Sequence, residues 1–227
     1  MNKQTQPWKN WKHVTKLDPD KYLSLEDLET LVGSGTDAFM ISGTQNITNT
    51  NVGQLISLLK DFKIPKILEP ATPDAVLDGD VDYIFVPLVL NAGDLKWIVG
   101  KHKDWIQNHK IKWEKVIPEA YIVMNPESAV AKLTKSKTDL TPDEIIAYAQ
   151  YAEKYLRLPI VYMEYSGTYG DPILVKRLRE SLTEASLFYG GGIDSQVTAA
   201  EMLRYADVIV VGNVVYTDID KFIETIP

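Results

Sequence analysis

Eight short apolar runs punctuate the chain, and longer amphipathic stretches separate most of them. The runs are nearly continuous in apolar residues rather than strictly alternating, which is typical of parallel strands buried on both faces. The predicted strands are 13–19, 38–43, 66–71, 82–90, 119–125, 159–167, 186–192 and 207–213. Eight repeats of strand and helix predict a TIM (β/α)₈ barrel, with a doubly wound sheet as the second choice.

One connection departs from this repeat. The stretch between Ala71 and Val81 has room for only one turn, whereas a parallel crossover normally takes about a dozen residues or more. We therefore expect a modified barrel in which helix 3, the helix that follows the third strand, is short or missing. No linker or low-complexity tract divides the chain, so residues 1–227 are predicted to form a single domain.

Capping residues predict where several of the helices begin. Ser24 is followed three residues later by Asp27, and Thr141 by Glu144, a spacing that matches the capping box. Asp218 can cap the last helix.

Composition narrows the classes of protein. The chain has 24 basic and 31 acidic residues, a net charge of -7, and 45% apolar residues. The acidic balance argues against nucleic acid as a partner. The absence of cysteine excludes disulfides, thiolate metal sites and a Cys nucleophile. Because no apolar run reaches about 18–20 residues and the first residues lack an apolar signal segment, we expect a cytoplasmic protein.

Glycines end the last two predicted strands. Gly190, Gly191 and Gly192 close the seventh strand, and Gly212 with Asn213 closes the eighth. In TIM barrels the loops after these strands often hold phosphate, and backbone N–H groups at a helix start form an anion cradle. The alternative is a turn that needs glycine but binds nothing.

Glu164 lies inside an otherwise apolar run. A buried carboxylate is costly unless it is paired or works, so it is a candidate general base, the alternative being an ion-paired or outward-facing residue. Tyr162 and Tyr165 beside it could bind phosphate or substrate hydroxyls, or simply pack in the core.

Strands 1 and 2 end in a second polar group. Asp18 is a candidate Mg²⁺ ligand, with Thr44 as a second oxygen, although both residue types are also common in loops. Lys16 could meet a phosphate or form a Schiff base, and is otherwise a solvated lysine. Weaker polar candidates at the ends of strands 3 and 4 are Glu69 and Asn91, which would complete a polar ring at the strand ends.

Three tryptophans lie in a helical region after strand 4, where they could pack in the core, form a subunit interface or line an apolar ligand groove. They are Trp97, Trp105 and Trp113.

Six motifs together resemble one family. KLDP, SGTDAFMISG, VPLVLN, YMEYSG, FYGGGI and ADVIVVGN occur in this order and are similar to those of the geranylgeranylglyceryl phosphate synthases. The chain most resembles the bacterial PcrB branch, the heptaprenylglyceryl phosphate synthases. The resemblance implies a modified TIM barrel with an atypical helix 3, and a homodimer that makes at most peripheral membrane contact.

The resemblance also implies a prenyltransferase. The 3-hydroxyl of sn-glycerol 1-phosphate would attack carbon 1 of a polyprenyl (heptaprenyl) diphosphate, with Glu164 taking the proton and Mg²⁺ bound by Asp18 and Thr44. The residues implied to hold glycerol 1-phosphate are Lys16, Tyr162, Met163, Glu164, Tyr165, Ser166, Gly167, Gly192, Gly212 and Asn213. The alternatives are a geranylgeranyl-specific synthase, another phosphate-binding TIM-barrel enzyme (an isomerase or aldolase) and a non-catalytic lipid-binding barrel.

Overall fold

The computed structural model describes residues 6–77 and 79–227. Eight parallel strands close into a barrel in which each strand pairs with the next and the last pairs with the first. The strands are β1 (His13–Leu17), β2 (Ala38–Ile41), β3 (Lys66–Leu68), β4 (Tyr83–Val89), β5 (Val116–Val123), β6 (Ile160–Glu164), β7 (Ser186–Gly190) and β8 (Val208–Val211). The predicted TIM barrel is confirmed.

Helices surround the barrel, one or two after each strand except β3. They are α1 (Leu25–Gly33), α2 (Asn49–Leu59), α3 (Gly100–Asn108), α4 (Ala129–Thr134), α5 (Pro142–Gln150), α6 (Pro172–Ser181), α7 (Gln196–Met202) and α8 (Ile219–Glu224). In the described residues between β3 and β4, the one helical element is the 3₁₀ turn Pro73–Ala75, as the short connection predicts. Within residues 6–77 and 79–227, no helix has the length and apolar character needed to cross a membrane.

The predicted caps form. Capping boxes start α1 at Ser24 and α5 at Thr141, and the Asp218 side chain accepts a hydrogen bond from the Lys221 N–H at the start of α8. These caps satisfy N–H groups that have no partner within the helix.

The core has two layers. Inward-facing side chains such as Met40, Phe85 and Phe188 fill the barrel, and a second layer packs between the strands and the helices. Below β1, the turn Pro7–Asn10 places Trp8 at the bottom of the barrel, 1% exposed and edge-on to Phe85. The indole therefore closes the amino-terminal end of the barrel.

Carboxylates hold the starts of the strands at this bottom end. Asp37, Asp82 and Asp207 each precede a strand, and each accepts a hydrogen bond from the N–H at the start of a neighbouring strand.

His13 is buried between the hydroxyls of Thr36 and Thr225, and burial lowers its pKa to about 3. The imidazole is thus neutral and structural.

Glu153 fastens the loop before β7. It lies in the π-helical turn Tyr151–Tyr155 that extends α5, and it is 5% exposed. One carboxylate oxygen accepts hydrogen bonds from the N–H groups of Thr183, Glu184 and Ala185 at 2.6–2.8 Å. Although burial raises the pKa of Glu153, the Lys154 ammonium and these donors outweigh burial and lower the pKa to about 2.

Candidate active site

A polar cavity of about 680 Å³ opens at the carboxyl ends of the strands. It collects side chains and glycines from β1, β2, β6, β7 and β8, the end at which TIM-barrel enzymes place their active sites. The predicted site residues that line it are Lys16, Asp18, Thr44, Tyr162, Glu164, Ser166, Gly167, Gly192, Gly212 and Asn213. The structure thus brings most of the predicted site together.

Two predicted residues do not line this cavity. The side chain of Met163 is fully buried in the layer between the barrel and the helices, because alternate residues of β6 face opposite sides of the sheet. Tyr165 packs against the same outer layer, and its N–H donates to the carbonyl of Gly190. A substrate contact by either residue stays a prediction.

Glu164 is held firmly at the end of β6. Its side chain is buried, the Tyr121 hydroxyl donates to Oε2 at 2.6 Å, and the Ser166 N–H donates to Oε1 at 2.6 Å. Burial, and next the Glu164 charge, raise the pKa values of Tyr121 and Tyr162 well above 10, so both hydroxyls stay protonated as donors. A carboxylate fixed in this way beside a cavity can accept a proton from a bound hydroxyl.

The glycine triplet serves the protein's own packing as well as the cavity. A side chain on Gly191 would meet the Tyr165 carbonyl oxygen at 2.6 Å, and one on Gly192 would meet Thr168 main chain at 2.6 Å. Both glycines have positive φ, at 145° and 62°. The loops after β6 and β7 can therefore touch backbone to backbone, and Gly190, Gly191 and Gly192 line the cavity.

Lys16 lies between the cavity and a deeper carboxylate. Its Nζ is 3.7 Å from Oε2 of Glu69, which also accepts a hydrogen bond from the Ser42 hydroxyl. Burial lowers the pKa of Lys16, but the nearby carboxylates, Glu69 first, outweigh burial and raise it. A lysine kept charged in this way suits phosphate binding, whereas a Schiff-base lysine needs a lowered pKa.

Asp18 and Thr44 line the cavity from neighbouring strand ends, and Asp18 contacts the chain just before Thr44. A side chain built on Gly43 would lie 2.7 Å from Oδ1 of Asp18. Among the described residues, no three carboxylates, histidines or cysteines form a metal-binding group. One carboxylate with a hydroxyl fits Mg²⁺ that shares its remaining positions with water and substrate phosphates.

A mostly apolar groove leads sideways from the polar cavity, past β3 and β4. Its open volume is about 100 Å³, and its walls include Val76, Val86 and Leu133, with Trp97 and Trp105 among the lining residues. Lys16, Ser42, Gly43 and Thr44 line both the groove and the polar cavity. The segment after β3 itself contributes to the groove, since Pro73 of the 3₁₀ turn and Val76 after it are among the lining residues.

Glu119 is a buried charged residue that the sequence interpretation missed. It is fully buried and faces the barrel interior from β5, between Ile117 and Tyr121. Neither of its carboxyl oxygens has a hydrogen-bond partner among the described residues. The alternation Ile117, Glu119, Tyr121 is the signal that could have found it, had the strand been predicted to start at Val116.

The TIM barrel has, at its mouth, a polar cavity that adjoins an apolar groove, an arrangement with room for a polar and an apolar ligand side by side. Residues 6–227 match the model of the PcrB family, and the chain belongs to this family. The resemblance stated from the motifs is thereby confirmed.

Curated relatives and solved structures agree. The chain is 54% identical over 222 residues, 96% of its length and 97% of the relative, to geranylgeranylglyceryl phosphate synthase of Methanocella arvoryzae. It is 47% identical over 221 residues, 96% and 95% of the two chains, to heptaprenylglyceryl phosphate synthase of Brevibacillus brevis. The structure of (S)-3-O-geranylgeranylglyceryl phosphate synthase from Thermoplasma acidophilum in complex with sn-glycerol-1-phosphate has a TM-score of 0.82 and 26% identity, covering 97% of this chain and 95% of that one.

Proposed function

We propose that this protein transfers a prenyl group from a prenyl diphosphate to the 3-hydroxyl of sn-glycerol 1-phosphate, forming an ether and releasing pyrophosphate. The observation that carries the proposal is the shared wall of the two compartments, formed by Lys16, Ser42, Gly43 and Thr44. The polar cavity suits glycerol 1-phosphate and the diphosphate, and the groove suits the prenyl chain. Carbon 1 of the donor and the acceptor hydroxyl then meet where the compartments join.

Glu164 is the proposed base. With both carboxylate oxygens oriented by Tyr121 and Ser166, it accepts the proton of the 3-hydroxyl as the new C–O bond forms and the bond to pyrophosphate breaks. Gly192 and charged Lys16 line the cavity, and the main-chain N–H of Gly192 together with the Lys16 ammonium would hold the phosphate. Holding the two reactants in line supplies the orientation part of the rate enhancement.

Asp18 and Thr44 are the proposed Mg²⁺ ligands. The ion, when bound there, supplies positive charge that neutralises the departing diphosphate. Thr44 lies on the wall shared by the polar cavity and the groove, and Asp18 lines the polar cavity from the neighbouring strand end, which supports this role. The protein's own contribution is the hard oxygen donors that favour Mg²⁺ over softer metals.

We propose the twenty-carbon geranylgeranyl donor as the preferred substrate. The relative named for that product shares 54% identity with the chain, against 47% for the heptaprenyl relative. The thirty-five-carbon donor is the second candidate, because the sequence motifs favour the bacterial branch.

A competition assay tests both parts of this proposal. Protein with Mg²⁺ and glycerol 1-phosphate receives equal amounts of twenty- and thirty-five-carbon prenyl diphosphates, and mass spectrometry identifies the ether. We expect the twenty-carbon ether to dominate. Dominance of the thirty-five-carbon ether would reverse the donor assignment alone, and no ether from either donor would refute the transferase.

A further inference from the structure

Two carboxyl groups below the candidate site lack the partners that buried charges need. Oε1 of Glu69 and both carboxyl oxygens of Glu119 have no hydrogen-bond partner among the described residues. Glu69 is 6% exposed and Glu119 is fully buried. Burial, and next the Glu69 carboxylate, raise the pKa of Glu119 well above its ordinary value of 4.5.

The other charges around this pair are already engaged. Glu164 has its own two donors, and the Lys16 ammonium lies 3.7 Å from Oε2 of Glu69. The Glu69 carboxyl lies within side-chain hydrogen-bond reach of Glu119, so that a proton on one of the two completes a hydrogen bond between them. The other charges that act on Glu119 are Lys16 and Glu164, and Glu119 acts in turn on Tyr162. An ionised carboxylate at this depth without a donor takes up a proton instead.

We propose that Glu69 and Glu119 share one proton, and that this acid pair positions Lys16 at the junction of the cavity and the groove. Glu119 holds the proton and donates it to the free oxygen of Glu69. The other Glu69 oxygen keeps its contacts to Ser42 and Lys16. The proton comes from solvent during folding, and the pair then carries one negative charge, which the Lys16 ammonium balances.

The charge matters because of what the cavity binds, and this part of the inference rests on the proposed function. Two phosphorylated reactants bring negative charge to Lys16. A second charge on the pair would repel them and draw the Lys16 ammonium away from them. The shared proton therefore keeps the Lys16 charge available to phosphate. Glu69 and Glu119 act through Lys16 and are positioning residues.

Infrared difference spectroscopy tests the shared proton without any assay of activity. We expect wild-type protein at neutral pH to show the C=O band of a protonated carboxyl, and Glu119→Gln to lose it. Glu153→Gln is the matched control and should keep the band, because the low pKa of Glu153 leaves that residue ionised. Absence of the band from wild-type protein overturns the proposal, whatever the variants do.

Kinetics of the ether-forming reaction test the positioning role. The amide of Glu119→Gln can still donate to Glu69, whereas Glu119→Ala cannot, so we expect kcat/KM to be about tenfold lower in the Ala variant than in the Gln variant. At alkaline pH, KM for glycerol 1-phosphate should rise more in wild type than in Glu119→Gln.

Equal kcat/KM in the two variants, or parallel pH profiles, would refute positioning. If wild-type protein makes no ether, the proposed function fails instead, and the infrared band still decides whether the proton is shared. Should Glu119→Ala not fold, the pH profiles of wild type and Glu119→Gln decide the question.

Discussion

Buried carboxyl groups at the bottom of the barrel and in the interior below its mouth differ in their hydrogen-bond partners. At the bottom, Glu153 accepts three main-chain N–H groups, and Asp37, Asp82 and Asp207 each accept a hydrogen bond from a neighbouring strand. In the interior below the mouth, Oε1 of Glu69 and both carboxyl oxygens of Glu119 have no donor among the described residues. The same carboxyl group thus has a lowered pKa in Glu153 and a raised pKa in Glu119.

This difference separates stability from chemistry. The carboxylates at the bottom accept hydrogen bonds from main-chain N–H groups and so stabilise the fold. Carboxyls that lack partners are costly to bury, and a fold retains them where charge or protons have a use. In TIM barrels the bottom end is the stability end and the mouth carries function, which matches this distribution.

The largest expected effect is on turnover, from Glu164→Gln. The amide cannot accept the proton of the substrate hydroxyl, so we expect kcat to fall about 100- to 10,000-fold. Ether formation followed by mass spectrometry measures the loss. Glu153→Gln, far from the cavity, is the control and should keep the kcat of the folded enzyme. Equal rates in wild type and Glu164→Gln would contradict the assignment of the base.

Glu153→Gln should instead give the largest loss of stability. The amide replaces a carboxylate that accepts several hydrogen bonds and pairs with Lys154, so we expect the free energy of unfolding to fall by about 3 kcal/mol. Urea denaturation measures it. Glu184→Gln, at an exposed neighbouring position, should change stability by less than about 0.5 kcal/mol. A similar loss in both variants would show that the clamp adds nothing specific.

The pH dependence of stability gives the smallest but most direct comparison. The pKa of Glu153 falls from 4.5 to about 2 on folding, so its stabilising contribution is complete above pH 4.5 and is lost as the pH falls towards 2. The pKa of Glu119 rises on folding, so its contribution is complete below pH 4.5 and is lost as the pH rises.

Urea denaturation across pH checks these signs. The stability deficit of Glu153→Gln should shrink below pH 4.5. Glu119→Gln should become more stable relative to wild type as the pH rises above 4.5. Slopes of the same sign for the two variants would break the contrast between the two ends.

The sequence was sufficient to predict the barrel fold and most of the residues that line the cavity at its mouth. Apolar runs with polar ends predict strands whose carboxyl ends meet, so Lys16, Asp18 and Glu164 come together with no further information. The helix between β3 and β4 was predicted correctly to be short or missing, because chain length alone limits that connection.

Packing between distant loops was beyond the sequence. Glycines that line a cavity and glycines that contact another loop have the same sequence pattern, and Gly191 and Gly192 do both. Met163 was included because it belongs to a motif, although the two-residue period of β6 turns it away from Tyr162 and Glu164. Glu119 was missed because it was read as the first residue of its strand, where a polar side chain is unremarkable.

Trp8 has an electrical consequence at the opposite end of the barrel. Its indole and the apolar side chains above it, such as Phe85 and Ile117, exclude water from the interior beneath Glu119. Water below the carboxyl pair would screen its charges and weaken its hold on a proton. Trp8 therefore acts as an electrical insulator at the bottom of the barrel. It preserves the low dielectric constant in which the proton shared by Glu69 and Glu119 sets the net charge of the pair below the mouth.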